Sequence, residues 1–295
     1  MKISTLIKLI KNIRKVADKI LPCELQDKII RALGKETYLS QVEFHIVDHC
    51  NLNCAHCNHF TPLAEEKIFK IEDILEDFKK LKKVFDNIGN IFILGGEPVL
   101  HPNLIDIFEP LRNLYPKSEI VVITNGILLH KQDEAFWNAL QKYNIALSMT
   151  KYPLKVDYDG FLQKAKDLGI KTYFFSLNRD KMRKMDLDHK GRCNKQKAFN
   201  QCCEKRCHFL KEGKLYVCTP APNIHFLNKY FNLNFKLTKK DYIDLDKVKS
   251  ATKINRLFKQ PIDFCRYCND GEIAFDTYRV SKKELSEWVL EDSIK

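Results

Sequence analysis

The sequence predicts an α/β chain built on a parallel sheet, and three observations lead there. Short apolar runs alternate with amphipathic helical stretches from Val42 to Ser176. After a longer first unit the repeat settles at about 25–30 residues, the length of a strand with its crossover helix. Each distinctive polar motif also follows directly on one of the apolar runs. That is the carboxyl end of a strand, the edge where such sheets bind ligands.

The elements read as follows. EFHIV (43–47) is the first strand and IEDILEDFKKLKKVF (71–85) its helix. NIFIL (90–94) pairs with NLIDIFEPLRNL (103–114), EIVVIT (119–124) with EAFWNALQKY (134–143), and NIALSM (144–149) with DGFLQKAKDL (159–168). KTYFFS (171–176) opens a fifth unit, after which the rhythm fails in a polar stretch reaching residue 206. KEGKLYVC (211–218) reads as a hairpin turn around Gly213 and a short strand. Three regions are expected: an N-terminal amphipathic extension (1–40), the α/β core (41–190) and a C-terminal extension (191–295).

In the first region, Ile3, Leu6, Ile7, Ile10, Ile13, Ala17, Ile20 and Leu21 share one helical face and Lys8, Lys11, Lys15 and Lys19 the other. Such a basic amphipathic helix can lie on a membrane surface; packing against its own domain is the commoner outcome and ranks first. No uncharged apolar run approaches the ~18 residues of a membrane span, and no small-residue cleavage site follows the lysine-broken start. A cytoplasmic location is expected, and there eleven cysteines point to metal or redox chemistry more than to disulfides. The net charge of +12 is spread along the chain, which carries no specific nucleic-acid footprint.

The chemistry concentrates after the first two strands. HCNLNCAHCNHF (49–60) holds Cys50, Cys54 and Cys57 in the spacing C-x3-C-x2-C, and Gly95-Gly96-Glu97-Pro98 follows the second strand. Three thiols leave open a zinc site completed by His49, His56 or His59, or an iron–sulfur cluster with one iron unligated by protein. Thiolates favour iron–sulfur clusters over hard cations, the glycines admit close backbone approach, and Glu97 can accept from an ammonium group.

The triple-cysteine loop followed by GGEP resembles the radical S-adenosylmethionine (SAM) enzymes. The resemblance implies a partial (β/α)6 TIM barrel and a [4Fe–4S] cluster on Cys50, Cys54 and Cys57, with SAM chelating the remaining iron. It also implies an electron donor such as flavodoxin or ferredoxin, and reductive cleavage of SAM to a 5′-deoxyadenosyl radical that takes hydrogen from a substrate of peptide or saccharide type. Gly95 to Pro98 would seat the methionine end of SAM, and Thr124, Asn125 and Ser148 stand at strand ends within its reach. One departure concerns His56, which occupies the usual place of an aromatic residue packed near the adenine.

Beyond residue 190, Gly213-x4-Cys218 and Cys265-x2-Cys268 resemble the SPASM and shorter twitch extensions of these enzymes. The resemblance implies a second [4Fe–4S] cluster on Cys207, Cys218, Cys265 and Cys268, with Cys202 or Cys203 as substitutes for Cys207 and Cys193 as the next candidate. A structural zinc site is the rival. Residues 224–247, PIDFCRYC (261–268) and SKKELSEW (281–288) also resemble a group of bacterial radical SAM proteins, some of which accompany surface-polysaccharide biosynthesis. The reading from another class is a noncatalytic iron–sulfur or zinc protein, and a third reading is an activating enzyme that makes a glycyl radical on a partner protein.

Overall fold

The computed structural model describes residues 21–176 and 180–293. The expected N-terminal amphipathic helix therefore lies outside the described residues, except for Leu21. The chain begins with α1 (Cys23–Ala32) and β1 (Tyr38–His45), followed by α2 (Ile71–Lys82), β2 (Asn87–Leu94), α3 (Phe108–Leu114) and β3 (Glu119–Thr124). It continues through α4 (Glu134–Lys142), β4 (Ile145–Thr150), α5 (Tyr158–Asp167) and β5 (Thr172–Ser176). β1 to β5 run parallel and adjacent in chain order.

Alternation along the strands explains this packing. Val42, Phe44, Ile91, Ile93, Ile120, Val122, Ile145 and Leu147 are at most 2% exposed and belong to one core with Phe78, Leu81, Leu111, Phe136 and Leu140 of the helices. The Phe44 and Phe78 rings meet edge to face at 5.1 Å. Asn90, Phe92 and Ile123 alternate with these core positions and are only half-buried.

The rest of the chain comprises β6 (Lys181–Arg183), α6 (Lys195–Gln201), β7 (Phe209–Lys211), β8 (Lys214–Tyr216), α7 (Pro220–Phe231), β9 (Tyr242–Asp244), α8 (Ala251–Leu257) and β10 (Phe275–Thr277). The sixth parallel strand does not follow β5. It is β7, which joins the far side of β1 through Glu43 and Phe209, so the sheet order is β5-β4-β3-β2-β1-β7-β8-β9. The physical reason is visible in Asp180-Lys181-Met182-Arg183-Lys184, too polar for a strand buried on both faces. β6 pairs instead with β10 in a separate two-stranded sheet. The β7–β8 hairpin turns at Glu212 and Gly213, with φ of 52° and 70°, a left-handed turn that glycine permits at its second position. One sheet thus runs through both the expected core and the expected extension.

Glu43 shows how closely the two are joined. It sits on β1, buried, and accepts from the Thr219 hydroxyl just before α7. Burial, and after it Glu204, lifts its carboxyl from 4.5 to about 8, while Thr219 opposes the rise. The folded chain keeps a proton there that the unfolded chain releases above 4.5. This contribution to stability is complete below about 4.5 and is lost as pH rises through about 8. Glu43→Gln, neutral at every pH, should therefore become steadily more stable than wild type across that window in urea unfolding. A difference independent of pH would contradict the assignment.

Candidate metal and cofactor site

The site is assembled by the backbone of residues 95–97 meeting that of residues 47–49. Gly96 N–H donates to the Val47 carbonyl at 3.0 Å and Glu97 N–H to the His49 carbonyl at 3.1 Å. A Cβ on Gly96 would collide with the His49 carbonyl and stand 2.6 Å from the Cys50 nitrogen; one on Gly95 would stand 2.5 Å from the Val47 oxygen. Both glycines are required by close approach and not by turn geometry.

Glu97 is 1% exposed. Its carboxylate accepts from Thr124 Oγ1 at 2.6 Å, Asn125 N at 2.8 Å and, at longer range, Val99 N at 3.4 Å. Burial pushes its carboxyl up to about 7 against these donors, the Asn125 amide first. Pro98, also buried, starts the short turn after it. Thr124 and Asn125 thus tie the end of β3 to Glu97. Asn125 Nδ2 reaches Asn51 Oδ1 at 2.8 Å and lies 3.9 Å from Cys50 Sγ. Ser148 is buried near the end of β4, in register with Ile123 and Tyr173. Gly96, Glu97, Thr124 and Asn125 are thus joined in one set of hydrogen bonds that reaches Val47, His49 and Asn51.

Cys50, Cys54 and Cys57 pack with Leu52, Ile127, Tyr152, Met182 and Tyr278 in a small cluster apart from the main core. Cys50 Sγ accepts from Leu52 N at 3.3 Å, and Cys57 Sγ lies 3.4 Å from Thr61 Oγ1. Burial, then Glu97, raises the Cys50 thiol well above its usual range, and Cys57 and Cys54 add to the rise. Desolvated sulfurs that repel one another as thiolates need a soft cation to hold them ionised. The donor set fits a thiolate-bound iron–sulfur cluster in its chemistry. Among the described residues, no three Cys, His, Asp or Glu side chains stand at the mutual distances of a closed metal site.

His56 points elsewhere. At φ 60° it is buried, its Nδ1 donates to the Glu287 carbonyl at 2.6 Å, and its Nε2 meets Asp276 Oδ2 at 3.0 Å. Both ring nitrogens are engaged by the C-terminal segment, which leaves neither for a metal. His45, Asp48 and His59 form a second polar chain beside the loop, linked at 2.8 and 2.6 Å.

Of the later cysteines, Cys202, Cys218, Cys265 and Cys268 are electrostatic neighbours. Burial raises the Cys218 thiol, then Cys202, Cys268 and Cys265 raise it further. Cys268 is raised by burial and then by Cys265, Cys202 and Cys193. Cys207, also expected in this set, is raised by burial and then by Glu43, Glu204 and Cys203. Cys203 is exposed, with Arg183 Nη1 2.7 Å from its sulfur. Among the described residues no two cysteines are joined in a disulfide. Sequence reading missed Asn51, Tyr152, Met182 and Tyr278, which carry no local motif and reach the site only through folding.

Comparison with known proteins adds to this picture. Residues 44–158 match the model of the Radical SAM superfamily. The chain is 29% identical over 124 residues to a GTP 3′,8-cyclase of Clostridium perfringens (strain SM101 / Type A), covering 40% of this chain and 38% of that protein. It is 28% identical over 152 residues to a GTP 3′,8-cyclase of Thermodesulfovibrio yellowstonii, covering 45% of each. It thus spans less than half the length of these relatives. A crystal structure of BtrN in complex with AdoMet and 2-DOIA superimposes with a TM-score of 0.50 at 17% identity, covering 78% of this chain and 93% of that one. At that identity the likeness is one of fold.

Gly96→Ala tests the assembly directly. The added methyl must push the His49–Cys50 backbone away, at a cost of about 1–3 kcal/mol typical of overpacking. Urea unfolding should show that loss, and amide exchange should rise at Gly96 and Glu97, whose bonds hold the loop. An unchanged midpoint would mean that the loop is not packed on Gly96.

Proposed function

We propose that the chain, whose residues 44–158 match the model of the Radical SAM superfamily, is a radical SAM enzyme whose Cys50, Cys54 and Cys57 hold a [4Fe–4S] cluster. The observation that carries this reading is the backbone junction that fixes Gly95–Glu97 against Val47–Cys50. It supports the reading by bringing the end of β2 beside the loop that carries the three thiols. When bound, cluster and SAM together supply reductive cleavage of SAM to methionine and a 5′-deoxyadenosyl radical, which removes hydrogen from a substrate.

The chain's own residues supply position and shielding. Cys50, Cys54 and Cys57 would hold the cluster through three thiolates and leave one iron without a protein ligand, open to SAM. Gly95 and Gly96 keep that approach free of side chains. Glu97 Oε2, which accepts from Asn125 N, retains capacity to accept from the SAM ammonium. Thr124 and Asn125 hold the carboxylate in place, and Ser148 stands at the neighbouring strand end. Leu52, Ile127, Met182 and the two tyrosines exclude water from the sulfurs. The electron comes from a donor of the flavodoxin or ferredoxin kind. Substrate choice follows from pocket shape and not from these motifs; peptide and saccharide substrates both remain within the proposal.

The later cysteines extend the same reading. Cys202, Cys218, Cys265 and Cys268 are proposed to hold a second [4Fe–4S] cluster in a C-terminal extension of the twitch kind. Cys202 takes the place first expected for Cys207, because it shares its surroundings with the other three.

Anaerobic reconstitution, then dithionite and SAM, should give 5′-deoxyadenosine from wild type and none from Cys54→Ala. Zinc in place of iron, with SAM intact, would sink the proposal. In the same preparations wild type and Cys207→Ala should carry about eight irons and Cys202→Ala about four. The reverse order for the two variants would return Cys207 to the ligand set.

A further inference from the structure

The C-terminal segment is built into the cysteine loop along its whole length. Ala55 N donates to the Arg279 carbonyl at 3.0 Å, Ser281 N to the Asn53 carbonyl at 2.6 Å, and Cys54 faces Val280 in antiparallel register. His56 is held by the Glu287 carbonyl and Asp276, and Trp288 Nε1 donates to the Cys57 carbonyl at 3.0 Å. Glu287, 1% exposed, locks the segment's own shape. Its carboxylate accepts from Arg279 Nη1 at 2.6 Å, Lys282 N at 2.8 Å and the Ser281 hydroxyl. Every residue from Asn53 to Cys57 thus has a counterpart in the segment from Asp276 to Trp288.

This attachment delivers one side chain to the sulfurs. Tyr278 packs against the small cluster of Leu52, Cys54 and Met182, which Cys50 and Cys57 also border, with its ring 5.2 Å from that of Tyr152. Its N–H is anchored on the Asp180 carbonyl at 2.6 Å. Its hydroxyl is buried and finds no satisfying partner among the described residues. It lies against Cys54, with Cys50 and Tyr158 also bearing on it. A neutral thiol is a weak acceptor, whereas a thiolate accepts strongly. The orphaned hydroxyl is therefore completed when Cys54 is ionised by a metal.

We infer that Tyr278 is a positioning residue of the cysteine site, donating its O–H to the metal-bound sulfur of Cys54 and so raising the reduction potential of the cluster there. A hydrogen bond to a cluster sulfur stabilises the more negative, reduced state. The inference rests on the reading that Cys50, Cys54 and Cys57 hold a cluster, and concerns how the C-terminal segment tunes it. The segment acts as a fixed wall of the site, pinned on both sides of Tyr278 by bonds to the cysteine loop.

The test uses the reconstituted full chain and Tyr278→Phe, which removes one oxygen and keeps the ring. Iron content is measured first, and the midpoint is then titrated on the electron paramagnetic resonance signal that SAM perturbs. The inference expects equal iron and a midpoint more negative than that of wild type. Equal iron with an unchanged midpoint overturns it. Loss of iron in Tyr278→Phe overturns it too, by making the hydroxyl structural. Wild type without a SAM-sensitive signal defeats the underlying reading as well, which separates the two failures. His56→Phe, which frees the loop from Glu287 and Asp276 while leaving Tyr278 in place, should broaden the same signal as the sulfur geometry loosens. An unchanged line shape there counts against a fixed wall.

Discussion

The absence of a side chain at Gly96 is the constraint on which the rest depends. Because nothing projects from that position, the end of β2 lies directly against His49 and Cys50, and two backbone hydrogen bonds close the junction. The consequences pass outward in order. Glu97 is carried into the interior, where it gathers Thr124 and Asn125. Asn125 then reaches Asn51 and the first sulfur. Three strand ends and one loop become a single hydrogen-bonded unit. A larger residue at Gly96 separates the cysteines from the strand edge that would present SAM to them.

Much of this was legible because it is local. EIVVIT coincides with β3, and the helix over 134–143 ends one residue earlier in the fold. NIFIL lies within β2, which begins three residues sooner, while β1 starts at Tyr38 and stops at His45. The expected helix 103–114 divides into a tight turn over Leu104–Ile107 and α3, since Pro110 suits only the first turn of a regular helix. The hairpin at Gly213 was legible for the same reason: one residue type dominates left-handed turn positions.

What the sequence did not reveal depends on contacts across the chain. No pattern near Phe209 announces that it will lie beside Glu43, and no motif around Tyr278 shows it against Cys54. His56 is the sharpest case. Nothing in its local sequence announces the left-handed backbone and the two polar partners that fasten it to the C-terminal segment. Adjacent Cys202 and Cys203 differ in burial, a distinction that spacing alone cannot supply.

The central claim is that three thiolates leave one iron for SAM. Electron–nuclear double resonance on the reduced, reconstituted chain addresses it most directly, using SAM labelled with nitrogen-15 in its amino group. Direct chelation predicts a strong hyperfine coupling from that nitrogen to the cluster spin, absent in Cys54→Ala. A SAM-sensitive cluster with no coupling beyond that of a distant, non-ligating nitrogen would contradict it.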